Sequence, residues 1–301
     1  MFKKCLKYDL KAFSKIWLIA AAVVLVVSIL GGIGFGSMFT ASATMDEMES
    51  QNIQLSDWES ALLTVRMMLG VISYMIMIYS LVIFTAGTSI MLYVHYYRKF
   101  FTDQGYLTFT LPVSRSTHFW SKTVSGLIYT AASGLVCVLS IIIVLLCVLI
   151  AALIAPDSMQ QLDLSVLTQF LQSPHFVYFL AAALLGVILL IAVAFASLVL
   201  QYLIITLAAT MFRKLKVLSV IVAYYVINNI VAIPVIYVGM FYAIIAIVAL
   251  AYGMAGLMTI PILGWLGIYA LLLLAILAVV TVGVIIANFT VQRLERKLNL
   301  A

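Results

Sequence analysis

The side chains able to do specific chemistry are concentrated in residues 95–122, which read HYYRKFFTDQGYLTFTLPVSRSTHFWSK. This stretch contains His95 and His118, and the third histidine of the chain is His175. The three histidines form no metal-binding motif, and no Ser, His and Asp set can be assembled around them. The chain also contains no Walker-type G-x-x-x-x-G-K-[ST] sequence. We therefore expect no catalytic centre, no metal site and no cofactor bound by this chain.

The elements that must position this stretch are strongly apolar. Apolar residues make up 66% of the sequence and charged residues only 9%, and several uncharged runs exceed the roughly 18 residues that mark a spanning helix. The run from Leu135 to Ala155 shows none of the alternation that a barrel strand of about ten residues would have. The sequence predicts an all-α, polytopic membrane protein. Its cysteines, Cys5, Cys137 and Cys147, have no spacing typical of a disulfide framework.

The charges alternate along the chain in a way that orients it. Lysine and arginine fall in four clusters, and the segments between the clusters carry the acidic residues. By the positive-inside rule, we expect both termini and residues 95–122 to be cytosolic in a protein of the cell membrane. Anionic lipid and insertion topology explain the net charge of +6 better than nucleic-acid binding does. Six spans satisfy the alternation, at about 16–38, 66–94, 119–155, 176–210, 217–240 and 263–291.

Four further features complete the expected architecture. Residues 1–15 combine an apolar periodicity with lysines on the other faces, which predicts an amphipathic helix at the membrane interface. Residues 39–65 and 156–175 are expected to be extracytoplasmic loops. The apolar surplus at 240–262, between the fifth and sixth spans, predicts a re-entrant or interfacial hairpin. We interpret the glycines of residues 31–36 as a flexible helix end; these are Gly31, Gly32, Gly34 and Gly36.

Polar side chains within the predicted spans are few. No ionisable residue lies well inside a span, apart from Arg66 at a border, whereas a proton-coupled carrier normally places such groups there. Candidates for gating or for polar contacts between helices are Gln201, Asn228, Asn229 and Pro234. Small residues that would permit close helix approach are Ser73, Ser80 and Gly87 in the second span, and Gly126, Thr130, Ser133 and Cys137 in the third.

The stretch between the second and third spans has the composition of an interface. Tyr96 and Phe100 pair at i and i+4 where the second span ends, and Ser114 can cap the third. Residues 104–111 would expose aromatic side chains to water unless the membrane surface or another protein covers them. We therefore expect these residues to be a docking loop.

At these residues the chain resembles the permease subunits of type-two ATP-binding-cassette exporters from Gram-positive bacteria. The resemblance is carried by FFTDQGYLTFTLPVSRS, followed by Ser121 and Lys122. The opening MFKKCLKYDLKAFSKIW and the closing LERKLNL support it. The match is specific mainly at residues 98–122. Relatives often have an acidic pair before Gly-Tyr-Leu-Thr where this chain reads TDQ, a departure that would affect the choice of ATPase partner and not the role.

The resemblance implies both a partner and an activity. A coupling helix in the cytosolic loop would seat in a groove of a separate ATPase subunit, which binds ATP and Mg. The chain would pair with a second copy of itself or with a sister permease, and would export a hydrophobic or amphipathic substrate such as a peptide, an antibiotic or a lipid-like molecule. The docking residues that the resemblance implies are Phe101, Thr102, Asp103, Gln104, Gly105, Tyr106, Leu107, Thr108, Phe109 and Leu111.

Two other functions stay open at this point. An ion-coupled secondary carrier or channel would transport along an ion gradient without any ATPase. A non-transporting immunity or scaffold protein would bind a peptide in the membrane without moving it. Unaltered transport after deletion of the loop signature would favour the scaffold.

Overall fold

Nearly all of the described residues are helical. The computed structural model describes residues 2–50, 56–102, 105, 113–154, 169, 172–211 and 262–297. No strand occurs within this part of the chain, so the all-α fold class is confirmed for it. The long helices are α1 Phe2–Ser50, α2 Asp57–Phe101, α3 Arg115–Ile154, α4 Pro174–Met211 and α5 Ile262–Lys297.

Five helices in the described residues are long and apolar enough to cross a membrane. They range from 36 residues in α5 to 49 in α1, whereas about 20 residues span the hydrocarbon core. Each helix is thus long enough to extend beyond the core. The five correspond to the first four and the sixth of the predicted spans. The predicted fifth span, 217–240, and the hairpin, 240–262, lie outside the described residues.

Helix α1 extends the first predicted span at both ends. Its first turns are continuous with the apolar stretch, so no break separates residues 2–15 as an element of their own. Their location at a membrane interface stays a prediction. The segment 39–65, expected to be a loop, is helical over 39–50 and 57–65. The described part of 156–175 includes the start of α4 at Pro174.

Helix α2 begins with one half of a capping box, the bond from the Ser56 N–H to the Glu59 side chain. The Ser56 backbone N–H donates to Glu59 Oε2 at 3.1 Å, and the Ser56 hydroxyl donates to the same oxygen at 2.6 Å. The glutamate side chain thereby satisfies the backbone N–H of the residue that precedes the helix. This local signal places the helix start at Asp57, well before the apolar run begins.

The chain forms two compact units. Unit 1 consists of Met1–Asp9, Leu92–Leu127 and Leu164–Ala301. Unit 2 consists of Leu10–Met91 and Ile128–Asp163. Helices α1, α2 and α3 contribute residues to both units.

In unit 2, glycines bring α1 and α2 into close contact. A Cβ added at Gly34 would lie 1.8 Å from Ser73 Oγ and 2.8 Å from Ser73 Cβ. One at Gly31 would lie 2.6 Å from Met77 Cβ, and one at Gly70 would lie 2.6 Å from Gly34 O. These distances leave no room for a side chain, so the two backbones approach closely.

A second pair of glycines lies where α1 packs closely against α3. A Cβ at Gly32 would lie 3.1 Å from Cys147 Cβ, and one at Gly36 would lie 3.0 Å from Ala151 Cβ. The interpretation of these glycines as a flexible helix end was therefore wrong. They lie inside a continuous helix, where close packing against neighbouring helices offsets the propensity cost of about 1 kcal/mol per glycine.

A polar chain and a small apolar cluster complete unit 2. Trp17 Nε1 donates to Ser133 Oγ at 3.1 Å, and the Ser133 hydroxyl donates to Thr88 Oγ1 at 3.3 Å. This chain links α1, α3 and α2. Trp17 also packs on the apolar cluster of Ala21, Val24, Phe84 and Val136.

In unit 1, α4 and α5 run parallel. At one end, Trp265 Nε1 donates to His175 Nδ1 at 3.3 Å. Nearer the other end, a Cβ at Gly283 would lie 2.8 Å from Phe195 Cε1. Contacts therefore advance in the same direction along both helices. This is the relative direction that six alternating spans give to the fourth and the sixth.

Candidate functional site

The candidate site is the end of unit 1 that carries the predicted docking loop. The chain leaves α2 at Phe101 and enters α3 at Arg115, so these two helix ends are the roots of the loop. Two clusters of buried side chains and one arginine hold them.

Four rings join three helices immediately behind the loop. This aromatic cluster comprises Tyr96 and Phe100 of α2, Phe119 of α3 and Tyr202 of α4. Tyr96 and Tyr202 stack with ring centroids 4.0 Å apart and planes 7° apart, and Phe100 lies 4.8 Å from Tyr96. Phe119 meets the Tyr202 ring edge-on at 6.3 Å. All four side chains are fully buried, so the cluster fixes the last turn of α2 against the first turns of α3.

The hydrogen bond between Tyr96 and Thr206 has a defined direction. Tyr96 Oη lies 2.8 Å from Thr206 Oγ1, and the Thr206 hydroxyl donates to Tyr202 O at 2.7 Å. Since the single hydroxyl proton of Thr206 is used on that carbonyl, Tyr96 is the donor to Thr206. The phenol in the middle of the aromatic cluster is thereby satisfied.

Beside the rings lies a buried polar cluster centred on Asp9 of α1. The Asp9 cluster comprises Asp9, His95, Ser121 and Lys122. Lys122 Nζ donates to Asp9 Oδ1 at 3.0 Å, and the Ser121 hydroxyl donates to Asp9 Oδ2 at 2.8 Å. His95 Nε2 lies 3.3 Å from Asp9 Oδ1. One carboxylate thus binds both loop roots, α2 through His95 and α3 through Ser121 and Lys122.

Lys122 is the most deeply buried charged member of this cluster. Its side chain is only 4% exposed and that of Asp9 13% exposed, although lysine and aspartate are almost never fully buried unless paired. Lys122 Nζ also lies 5.8 Å from the centroid of the Phe100 ring, within reach of a cation–π attraction. The carboxylate and the ring together replace the water that the ammonium group loses on burial.

The structure brings a serine, a histidine and an aspartate together, a set that sequence spacing did not assemble. Their order differs from that of an activated nucleophile, because the Ser121 hydroxyl donates to the carboxylate and not to an imidazole base. Among the described residues, no three His, Cys, Asp or Glu side chains converge as metal ligands would. The arrangement is suited to fixing helix ends.

The last helix reaches the loop through Arg115. One guanidinium nitrogen, Nη1, donates to the carbonyl oxygens of Leu294 and Glu295 at 3.0 and 3.1 Å. An arginine at the C-terminal carbonyls of a helix satisfies acceptors that have no partner within that helix. Ser114 caps α3, as predicted, because its Oγ accepts from the Thr117 N–H at 3.3 Å. The start of α1 and the end of α5 therefore both contact the roots of the loop.

Three of the predicted docking residues fall in the described part of the chain. Phe101 stacks on Tyr97 at 5.9 Å, and Thr102 donates to Arg98 O at 2.5 Å. Gly105 donates its N–H to Thr102 O at 2.6 Å. The other docking residues, Asp103, Gln104, Tyr106, Leu107, Thr108, Phe109 and Leu111, lie outside the described residues.

Gly105 packs directly on the last turn of α2. A Cβ there would lie 2.9 Å from Phe100 O and 3.1 Å from Phe100 C. Backbone atoms cannot move aside as a flexible side chain can, so a side chain at this position would displace the chain that follows. The close contact with Phe100 therefore requires glycine at this position.

Of the predicted gating residues, only Gln201 lies in the described part. It is buried in α4 at 5% exposure and precedes Tyr202 of the aromatic cluster. Asn228, Asn229 and Pro234 lie outside the described residues. Sequence reasoning missed Asp9. The signal was a single acid on the apolar face of the first helix, between Leu6 and Phe13 at helical spacing, where an unpaired carboxylate would be costly.

The described residues define a class of protein: an all-helical protein whose long apolar helices suit it to being embedded in a membrane. Comparison with protein families, with curated proteins and with solved structures gives no match for this chain.

Proposed function

We propose that this chain is the membrane-spanning permease subunit of an ATP-binding-cassette exporter. It would pair with a separate ATPase that binds ATP and Mg, and with a second permease copy or a sister permease. Its substrate would be hydrophobic or amphipathic, in keeping with the ion-poor apolar spans. Its termini and the docking loop would face the cytosol, as the positive-inside rule indicates.

One observation carries the proposal: the residues that resemble a coupling helix, 101–111, connect two helix ends that are locked together. When a partner displaces the loop, that displacement reaches the spanning helices only if the roots of the loop are held more rigidly than the loop itself. Tyr96 and Phe119 lie 6.5 Å apart in the aromatic cluster, and Asp9 bonds to both α2 and α3. A displacement of the docking segment would therefore move α2 and α3 together.

The partner is the first thing to test. The tagged protein is isolated from its native membrane in mild detergent, and proteins present in stoichiometric amount are identified by mass spectrometry. We expect an ATPase that contains a Walker sequence. Reproducible isolation without such a subunit would overturn the proposal.

The sharpest variant within the chain is Gly105→Ala. Since its Cβ would meet Phe100 O at 2.9 Å, we expect the docking segment to be displaced and ATP hydrolysis to be uncoupled from transport in reconstituted vesicles. The matched control is Gly134→Ala, because no atom lies within 4 Å of a Cβ at Gly134. Normal coupled turnover in Gly105→Ala would contradict the docking role. Equal loss in both variants would point to general damage.

A second candidate function, an ion-coupled carrier, is favoured by the buried Asp9–Lys122 pair with His95 beside it. Buried ionisable groups in membrane proteins often form ion or proton pathways. The two functions differ in their driving force. Transport into vesicles that contain the permease alone, driven by a proton or sodium gradient, would support the carrier. Transport that requires the ATPase and ATP would support the exporter.

A further inference from the structure

The Asp9 cluster joins the start of the chain to both roots of the loop. His95 lies six residues before the end of α2 at Phe101, and Lys122 lies seven residues after the start of α3 at Arg115. Both bond to the same oxygen, Asp9 Oδ1, at 3.3 and 3.0 Å. Ser121 occupies the other oxygen at 2.8 Å. No other carboxylate bonds to Lys122 in the described part of the chain.

We propose that Asp9 is a positioning residue that holds the two roots of the docking loop at a fixed separation, so that movement of the loop reaches the spanning helices. The expected effect on transport rests on the proposed function. The positioning itself follows from geometry alone. A single carboxylate that accepts from both helix ends fixes their spacing, because hydrogen bonds are directional.

Position 9 is suited to this role by its place on α1. Asp9 lies on the face of the helix that packs, while Lys7, Tyr8 and Lys11 lie on the exposed face. The carboxylate is therefore directed toward its three partners, His95, Ser121 and Lys122, rather than toward the lysines of its own helix. Without it, Lys122 would be a buried cation whose nearest favourable contact is the Phe100 ring at 5.8 Å. The side chain would then move, and the start of α3 would move with it.

The first experiment measures the roots directly and needs no partner. Hydrogen–deuterium exchange is followed by mass spectrometry in the intact protein and in Asp9→Asn. We expect the amides of residues 97–102 and 113–118 to exchange about tenfold faster in the variant, because local opening becomes easier where the bonds are lost. Amides in the middle of α4 should be unchanged. The control is Asp57→Asn, which removes an exposed acid at the start of α2.

The second experiment measures coupling. With the ATPase present, we expect Asp9→Asn to keep the partner bound and hydrolysing ATP while transport per ATP falls about tenfold, because movement of the loop no longer reaches both helices. The double variant Asp9→Asn/Lys122→Met removes the buried cation as well, so its melting temperature should return toward that of the parent. Its loop roots should still exchange fast and its coupling should stay low, because the link is still missing.

The outcomes separate the two proposals. Unchanged exchange at both roots in Asp9→Asn would overturn the positioning role and leave the permease proposal standing. Fast exchange in a protein that has no ATPase partner would support the positioning role and reject the permease. Recovery of transport per ATP in the double variant would show that Asp9 matters only by stabilising the fold, and would also overturn the inference.

Discussion

The loop end of unit 1 and the contact between α1 and α2 in unit 2 are held by different kinds of interaction. In unit 1, large rings and a buried carboxylate fill the space between helices, as in the stack of Tyr96 on Tyr202 at 4.0 Å. In unit 2, glycines bring α1 and α2 into close contact, and a Cβ at Gly34 would lie 1.8 Å from Ser73 Oγ. The first mode depends on directional contacts, and the second on close backbone approach.

This difference matters for what each unit can transmit. Directional bonds lose most of their energy when a partner moves by about 1 Å, so a polar and aromatic cluster has a preferred geometry. Small residues give a close contact stabilised by packing along a helix stripe. We therefore expect unit 2 to be most sensitive to added volume, and the loop end of unit 1 to be most sensitive to lost polar atoms.

The largest expected effect is that of Gly34→Ala. The added methyl group would overlap Ser73 and force α1 and α2 apart, at a cost of about 1–3 kcal/mol in the free energy of unfolding. The measurement is the unfolding midpoint in mixed detergent and SDS micelles. The control is Gly87→Ala, which has no atom within 4 Å of its Cβ and should change stability by less than about 0.5 kcal/mol.

The companion substitution Ser73→Gly sharpens this test. It removes the atoms that lie 1.8 and 2.8 Å from the new methyl group, so Gly34→Ala/Ser73→Gly should be more stable than the sum of the two single changes predicts. Strict additivity would mean that the cost of Gly34→Ala does not arise from contact with Ser73.

The sequence predicted the apolar helices well, because continuous apolar length is a local property of the chain. Ser114 as a cap and Gly126 as a site of close approach were also predicted, and a Cβ at Gly126 would lie 2.7 Å from Leu198 Cδ1. Gly87, predicted to belong to a packing stripe, has open space around it. A stripe of small residues shows that close approach is sterically allowed. It does not show which helix comes close.

The polar contacts of the site could not be predicted from the sequence. Asp9 lies 86 residues from His95 and 113 from Lys122, and periodicity within one helix carries no information about such partners. Pairing can also bury a charged residue that the sequence alone would place at the surface. Lys122 follows the basic residues Arg98, Lys99 and Arg115 in the sequence, yet its side chain is only 4% exposed and pairs with Asp9.

The next effect concerns the directional contacts of unit 1. Tyr96→Phe keeps the ring stack and removes the donor to Thr206 Oγ1 at 2.8 Å. We expect a loss of about 0.5–1.5 kcal/mol in the free energy of unfolding, the usual net contribution of one hydrogen bond. Tyr79→Phe is the control, since Tyr79 is 65% exposed. If Tyr96→Phe behaved like Tyr79→Phe, the loop end would be held by ring packing alone.

The smallest expected effect tests whether polar contacts also matter in unit 2. Ser133→Ala leaves Trp17 Nε1 without its acceptor at 3.1 Å and Thr88 Oγ1 without its donor at 3.3 Å. Hydrogen bonds between membrane helices contribute about 0.6 kcal/mol on average, so we expect a shift smaller than that of Gly34→Ala. Ser197→Ala is the control, because the Ser197 hydroxyl donates to Ala194 O of its own helix. If Ser133→Ala instead cost more than Gly34→Ala in the same unfolding assay, the distinction between a polar unit 1 and a close-packed unit 2 would fail, since unit 2 would then depend on a directional network that links α1, α2 and α3.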